Sequence, residues 1–187
     1  LIEEYIDGRE FSVLVCADPT PLHEPTTLVP VEFRFPGNET FKTFDMKMHQ
    51  YHPECNVPCD DPSLANRLRE AACRMFSAFS AVGYARMDFR VSKDNEIFFL
   101  ESNFDCSVFY PEGYRGTADY ILAFDGIGQA GYLRKIIEEG IARHERKKKC
   151  YAVRQAKVSY GVFATRRIVR GEVVVRKRMP DGERELA

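Results

Sequence analysis

The sequence lacks the features that mark a membrane-spanning or nucleic-acid-binding chain. No apolar run approaches the roughly 20 residues that a membrane helix needs, and no segment has the form of a signal peptide. The formal net charge is only −1 at pH 7, which predicts neither a nucleic-acid nor a membrane partner. Internal repeats and low-complexity tracts are absent too. What remains is the composition of an ordinary globular domain, with 44% hydrophobic and 29% charged residues.

The chain ends and the cysteines bear on the origin of the sequence. The chain opens on Leu1 without an initiating methionine and stops at Ala187, from which we expect a piece of a longer polypeptide. Six cysteines are scattered without a regular framework, and this predicts free thiols in a reducing compartment. We therefore expect a cytoplasmic location.

Hydrophobic periodicity predicts a mixed α/β domain. Asp61-Pro62 has the form of a helix start, with Asp as the N-cap and Pro at the first helical position. The predicted strands cover residues 1–6, 11–17, 28–35, 84–91, 97–103, 158–164 and 173–175, the predicted helices begin at 62 and cover 131–144, and residues 36–63 form a long loop.

Two consecutive strands carry the polar side chains of greatest interest. Strand alternation places Arg86 and Asp88 on one face of the first strand, and Glu101 and Asn103 on one face of the second. If the strands form a hairpin with residues 94–95 at the turn, Asp88 lies directly opposite Glu101. Arg86 then lies opposite Asn103.

Facing carboxylates repel each other unless something cationic lies between them. Oxygen ligands from Asp, Glu and Asn suit a hard cation such as Mg²⁺, held jointly with substrate phosphates. The alternative is that Arg86 and Arg90 neutralise the carboxylates in ordinary surface salt bridges. The two interpretations stay open on these residues alone.

Four motifs in one order carry a family resemblance: residues 1–13, Phe44–Lys47, Arg86–Phe89 and Leu100–Asn103. Together they resemble the D-alanine–D-alanine ligase branch of the ATP-grasp superfamily, over about residues 1–144. The resemblance implies an ATP-grasp carboxy-terminal lobe, with an antiparallel sheet flanked by helices and a short β-rich tail after it. It also implies ATP and Mg²⁺ or Mn²⁺ as cofactors.

The resemblance assigns the nucleotide contacts. Glu3 matches the carboxylate that contacts the adenine amino group, and the backbone of Glu4 to Ile6 would frame the adenine edge. Glu10 matches the residue that accepts hydrogen bonds from the ribose hydroxyls. Lys47 matches the lysine that reaches the γ-phosphate from a mobile loop.

The resemblance also assigns the metal and the chemistry. Asp88, Glu101 and Asn103 match the magnesium ligands, and Arg86 matches the arginine that stabilises negative charge developing on the reacting carbonyl group. The implied reaction is ATP-dependent activation of a small carboxylate to an acyl-phosphate, which a small amine attacks to give an amide. Changing Asp88 or Glu101 to Ala is expected to abolish turnover with little change in folding.

The sequence departs from the family in two places. Residues 104–110 replace a Pro-Gly-Met-Thr-like turn whose backbone amides bind substrate, and Ser107 stands at the glycine position. The family's amino-terminal lobe has no counterpart, so we expect the chain alone to be inactive. A nucleotide-binding pseudoenzyme is therefore an alternative function.

The tail carries a second resemblance. Residues 157–174 resemble the opening of a SET domain, with Ser159 in place of the first glycine of a Gly-x-Gly turn. We expect a ligase-like domain at 1–144, a basic linker at 145–153 and a truncated SET start at 154–187. This leaves two alternatives, a SET-domain lysine methyltransferase with a ligase-like appended domain, or a simple hairpin packed on the ligase lobe.

Overall fold

The computed structural model describes residues 2–20, 23–42, 46, 53–111, 113–171, 174, 176–179 and 182–185. It divides into two compact units, Leu1–Glu139 and Gly140–Ala187. The strands are β1 (Gly8–Cys16), β2 (Thr26–Thr27), β3 (Val31–Phe33), β4 (Asn56–Pro58), β5 (Tyr84–Ser92), β6 (Ile97–Asn103), β7 (Tyr151–Gln155), β8 (Tyr160–Ala164), β9 (Arg176–Met179) and β10 (Gly182–Glu185). The helices are α1 (Pro62–Ala78), α2 (Thr117–Asp125) and α3 (Gly128–Lys148), and a 3₁₀ turn covers Pro53–Cys55.

The first unit is built on an antiparallel sheet with apolar side chains on both faces. The strands lie in the order β4-β3-β1-β5-β6, and β2 also pairs with β1. On one face Phe11 and Val13 of β1 pack with Met87 of β5 and the buried residues of α1. On the other face Leu14 and Cys16 pack with residues of α2 and α3. Alternation along β1 therefore supplies both cores at once.

Helix α1 begins where the sequence predicts. The Asp61 carboxylate accepts hydrogen bonds from the backbone N–H groups of Ser63 at 2.8 Å and Leu64 at 3.1 Å, and Pro62 follows at the first helical position. The buried residues recur at helical spacing and form one stripe against the sheet. They are Leu64, Ala65, Leu68, Ala72 and Phe76.

The predicted strand at 1–6 is wrong. Residues 2–7 contain no strand, and β1 begins at Gly8, between the strands predicted at 1–6 and 11–17. The ladder between β1 and β5 runs from Gly8 opposite Ser92 to Cys16 opposite Tyr84. Because β5 ends at Ser92, residues before Gly8 have no partner strand on that side. Strand β3 is also shorter than predicted, and β4 lies inside the predicted loop.

Helix α2 was missed in the sequence. Its start is marked by Asp119, whose carboxylate accepts from the backbone N–H of Gly116 at 3.2 Å. Its end is marked by Gly126, which has the left-handed φ of 85° that favours glycine after a helix. Ala118, Ile121 and Leu122 are buried at helical spacing. These signals were present, but the segment is only 9 residues long.

The second unit contains two hairpins. Strand β7 pairs with β8, with Tyr151 opposite Ala164, and β9 pairs with β10. Residues 173 and 175 of the predicted strand at 173–175 lie outside the described residues. Helix α3 continues to Lys148, beyond the predicted end at 144, so most of the basic run is helical. No helix in the described part of the chain is long and apolar enough to cross a membrane.

Candidate functional site

Polar side chains of β1, β5 and β6 meet on one face of the sheet. Ser12 of β1 lies opposite Asp88 of β5. On the other side of β5, Asp88 lies opposite Glu101 and Arg86 lies opposite Asn103. The register predicted for this hairpin is confirmed at both pairs, and the two carboxylates share a face.

A β-bulge produces that register. Nearest the turn, Val91 lies opposite Ile97 and Phe89 opposite Phe99, and the register shifts between Asp88 and Phe89. Leu100 is the extra residue of β6. A regular ladder continued from the turn would place Glu101 opposite Met87, on the face that packs against α1. The bulge turns Glu101 to the polar face.

Asp88 is 7% exposed, and its carboxylate accepts hydrogen bonds from three side chains. Its Oδ1 atom accepts from Ser12 Oγ at 2.6 Å and from Arg86 Nε at 2.9 Å. Its Oδ2 atom accepts from Arg86 Nη2 at 2.8 Å and from Asn103 Nδ2 at 3.1 Å. These contacts hold the carboxylate in one orientation.

Arg86 is held as firmly as its partner. Burial has the largest single effect and lowers the pKa of Arg86, but the hydrogen bonds to Asp88 and the nearby negative charges together outweigh it, so the pKa lies above its usual value. Nearby, burial raises the pKa of the Cys106 thiol to about 11, against the opposing effect of Arg86. Arg86 therefore stays charged, while Cys106 stays a neutral thiol at ordinary pH.

The side chains of Asp88, Glu101 and Asn103 converge on one point. Asn103 Nδ2 donates to Asp88 Oδ2 and, at 3.2 Å, to Glu101 Oε1. A half-turn of the amide exchanges its nitrogen and oxygen, and would direct an oxygen to the same point. The resulting three oxygen donors fit a hard cation. The described residues contain no cluster of three or more His, Cys, Asp or Glu residues suited to a metal.

The alternative in which Arg86 and Arg90 neutralise the facing carboxylates holds for Arg86 but not for Arg90. Arg86 does pair with Asp88, at 2.8 Å. Arg90 instead lies beside Glu10, with Nη1 at 3.7 Å from Glu10 Oε2. Lys42 Nζ occupies the other oxygen of Glu10 at 2.7 Å. Among the described ion pairs Glu101 has none with either arginine, so its carboxylate faces solvent beside the Asn103 amide.

The remaining predicted residues lie outside this cluster. Glu3 and Glu4 are exposed and Ile6 is half-buried, all in the non-strand segment before β1. Lys47 lies outside the described residues, as do Phe44 and Asp45. Neither Ser12 nor Lys42 was predicted from the sequence as a site residue. Ser12 could have been found from its alternation with Glu10 along β1, whereas Lys42 comes from a loop and carries no local signal.

The altered turn at 104–110 uses its own backbone. Phe109 has a φ of 67°, in the left-handed region, while the φ of Ser107 is not positive. The Phe109 N–H donates to Asp119 Oδ1 at 2.9 Å, and Asp119 is buried at the start of α2. Gln129 donates to the same oxygen at 2.9 Å. The amide of Phe109 is therefore already paired within the protein.

Comparison with known proteins gives a consistent family. The model of the family described as "D-ala D-ala ligase C-terminus" matches residues 1–105. D-alanine–D-alanine ligase A of Mesorhizobium japonicum is 31% identical over 151 residues, which cover 77% of this chain and 39% of that protein. The corresponding ligase of Caldicellulosiruptor bescii is 27% identical over 155 residues, covering 79% of this chain and 38% of its own length. The chain thus spans about two fifths of these curated relatives.

Solved structures share the fold. D-alanine–D-alanine ligase from Coxiella burnetii superposes with a TM-score of 0.54 at 20% identity, covering 78% of this chain and 35% of that one. The ligase of Bacillus anthracis complexed with ATP gives 0.52 at 20% identity, covering 78% and 42%. The predicted α/β class, an antiparallel sheet flanked by helices, is confirmed.

Proposed function

Because the chain belongs to the D-ala D-ala ligase C-terminus family, we propose that it is the nucleotide-binding part of an ATP-dependent carbon–nitrogen ligase. The reaction joins a small carboxylate to a small amine through an acyl-phosphate, and D-alanine is the first substrate to test. The observation that carries the proposal is the convergence of Asp88, Glu101 and Asn103 on one face of the sheet.

In this proposal Asp88, Glu101 and Asn103 would hold Mg²⁺ or Mn²⁺, which would supply positive charge against the phosphates of ATP. Arg86 stays charged beside the ion site and stabilises negative charge on the reacting carbonyl group. Fixed groups of this kind lower a barrier because they need no reorganisation during the reaction. The hydrogen bonds from Arg86 to Asp88 supply that rigidity.

The nucleotide lies along the same face in this proposal. Glu10 accepts from the ribose hydroxyls, Glu3 contacts the adenine amino group, and the backbone from Glu4 to Ile6 frames the adenine edge. Lys47 reaches the γ-phosphate. The position of Glu10 supports the arrangement, since it lies on the same face as Asp88.

Glu101 gives the sharpest test because it is exposed and its loss should leave the fold intact. In the full-length protein that contains these residues, Glu101→Ala should lower Mg²⁺-dependent ATP turnover with D-alanine by about 100-fold or more. Glu96→Ala, an exposed carboxylate at the turn of the same hairpin, is the matched control and should keep the activity. Full turnover by Glu101→Ala would remove the metal assignment.

A nucleotide-binding pseudoenzyme is the second candidate, and the turn at 104–110 favours it. Ser107 replaces the glycine of the family pattern, and the Phe109 amide is engaged by Asp119. A pseudoenzyme binds Mg-ATP without releasing ADP in the presence of any carboxylate and amine pair. Titration calorimetry with Mg-ATP, run beside the turnover assay, separates the two functions.

For the tail we propose the start of a SET domain at 154–187, after a ligase-like domain at 1–144 and a basic segment at 145–153. The order of Phe163-Ala164-Thr165 and Gly171-Glu172 supports it. A parent transcript that encodes a downstream Asn-His pair and a tyrosine would favour methyl transfer by the parent protein. A transcript without them would leave residues 151–164 as a simple hairpin. The six free cysteines support a cytoplasmic location.

A further inference from the structure

The two units of the chain carry opposite charges. The second unit, Gly140–Ala187, contains 14 of the 27 Lys and Arg residues but only 5 of the 28 Asp and Glu residues, a formal charge of +9. The first unit has the remaining 13 Lys and Arg against 23 Asp and Glu, a formal charge of −10. The net charge of −1, from which no nucleic-acid partner was predicted, therefore hides a strongly basic part. Such a part indicates a polyanionic partner.

The basic side chains in and after the β7–β8 hairpin are exposed. Residues 140–171 contain ten Lys and Arg residues, and Glu145 is the one acidic residue among them. Four exposed basic side chains take part in no ion pair within the described part of the chain: Arg154, Lys157, Arg167 and Arg170. The proposed ligase and SET roles do not use these side chains. Their charges are therefore available to an anion from outside the chain.

Exposed aromatic rings lie among these charges on both faces of the hairpin. Arg154 lies opposite Gly161, and strand alternation puts Phe163 on the same face as Gly161. A Cβ atom at Gly161 would lie 2.9 Å from the Phe163 ring, so this ring lies against the glycine backbone and is still 43% exposed. On the other face Tyr160 is 58% exposed.

Exposed rings beside cations suit a single-stranded nucleic acid, because bases stack on the rings and phosphates pair with the cations. We propose that the β7–β8 hairpin binds a single-stranded polynucleotide. Bases stack on Phe163 and Tyr160, and the phosphates between them contact the four exposed basic side chains. This activity lies beyond the proposed ligase function and does not depend on it.

A duplex and an anionic membrane fit the hairpin less well. Bases in a duplex are stacked on one another, so they leave no free face for the two rings. A bilayer surface is a plane that contacts one face of a two-stranded hairpin at a time, whereas Phe163 and Tyr160 lie on opposite faces. A flexible single strand can follow both faces.

The first test removes the charges and follows binding of a labelled oligouridylate of about 20 nucleotides by fluorescence anisotropy. It uses the full-length protein that contains these residues. The variant combines Arg154→Gln, Lys157→Gln, Arg167→Gln and Arg170→Gln. We expect it to bind about tenfold more weakly or worse at low salt, and to reduce the slope of log affinity against log salt by about 3.

The matched control removes four exposed basic side chains of the first unit and should keep the wild-type affinity and salt slope. It combines Arg74→Gln, Lys93→Gln, Arg115→Gln and Arg134→Gln. An equal loss of affinity in this control would show that overall charge, and not the hairpin, determines binding.

The second test removes one ring without changing the charge. Phe163→Leu should weaken oligouridylate binding by about tenfold, because leucine keeps the apolar bulk but offers no ring on which a base can stack. Phe124→Leu, which changes a ring of the same 43% exposure in α2, is the control and should bind like wild type.

The wild-type protein is also compared on four probes: the oligouridylate, a duplex of equal length, polyglutamate and phosphatidylserine vesicles. We expect the oligouridylate to bind most tightly. Absence of oligouridylate binding, or equal or tighter binding of any other probe, overturns the inference. So does wild-type affinity in both the folded four-site variant and folded Phe163→Leu, folding being checked by circular dichroism. If a variant does not fold, the probe comparison decides alone, and ATP turnover tests the ligase proposal separately.

Discussion

Replacing Asp88 with Asn removes one charge from the centre of the site while keeping its shape. The carboxylate accepts from Ser12, Arg86 and Asn103, and each of its oxygens accepts from two side chains. The Asn amide offers only one oxygen. Its NH₂ group takes the place of the other carboxylate oxygen and faces hydrogen-bond donors, from which it cannot accept. Arg86 also loses the anion that balances its charge.

The expected cost follows from burial. Breaking a fully buried ion pair costs about 3–5 kcal/mol, and an exposed pair contributes about 0–1 kcal/mol. The Arg86 side chain is 23% exposed and that of Asp88 is 10% exposed, so partial solvation places the cost between these limits. We expect Asp88→Asn to lower the free energy of unfolding by about 2–3 kcal/mol, equivalent to about 5–10 °C in the melting temperature.

Urea denaturation followed by circular dichroism measures this directly. Glu101→Gln, which changes an exposed carboxylate in the facing position, serves as the control and should shift stability by less than about 0.5 kcal/mol. A double-mutant cycle with Arg86→Met should give a coupling energy above about 1 kcal/mol. Equal stability of Asp88→Asn and Glu101→Gln would refute a buried Arg86–Asp88 pair. The sequence predicted little change in folding when Asp88 or Glu101 is replaced. From the structure we expect a loss of stability at Asp88 and almost none at Glu101.

Two further predictions concern the sheet and its cysteines. Gly8→Ala should lower the free energy of unfolding, measured by urea denaturation, by more than about 2 kcal/mol. The reason is that a Cβ atom at this position would lie 2.0 Å from the backbone oxygen of Val91. An unchanged urea midpoint would contradict the close pairing of β1 with β5. Burial raises the pKa of the Cys16 and Cys106 thiols from 9.0 to about 11. Between these pH values the thiols of the unfolded chain have lost protons that the folded chain keeps. The free energy of unfolding should therefore fall as pH rises from 9 to 11. Cys106→Ala should flatten that dependence in urea midpoints measured across this range, and a slope equal to that of wild type would count against it.

The sequence predicted most reliably where one local rule decides the outcome. Asp61-Pro62 marks a helix start because the cap and the fixed proline φ act within one turn, and the cap bonds are present. The pairing of Asp88 with Glu101 was also predicted, but from a hairpin with a two-residue turn at 94–95 and a regular ladder. The structure reaches the same pairing through a different turn, with Asn95 at a φ of 61°, and a bulge.

The failures come from interactions between distant segments. The apolar residues at 1–6 have strand propensity, but a strand needs a partner, and β5 ends opposite Gly8. Arg90 Nη2 donates to the backbone carbonyl of Thr40, and Nη1 lies beside Glu10. Thr40 and Glu10 belong to separate segments, so these contacts could not be derived from alternation along β5. The salt-bridge alternative placed Arg90 beside the carboxylates of Asp88 and Glu101, whereas tertiary contacts direct it to Glu10.

The β-bulge at Leu100 also makes the edge strand β6 less able to pair with another chain. Strand β6 ends the sheet among the described strands, and a regular edge strand presents a row of free amides on which another chain can assemble. The irregularity between Phe99 and Glu101 interrupts that row near its middle, so an incoming strand would find only short stretches to pair with on either side. A kink that directs one carboxylate therefore also makes this edge a poor template for aggregation.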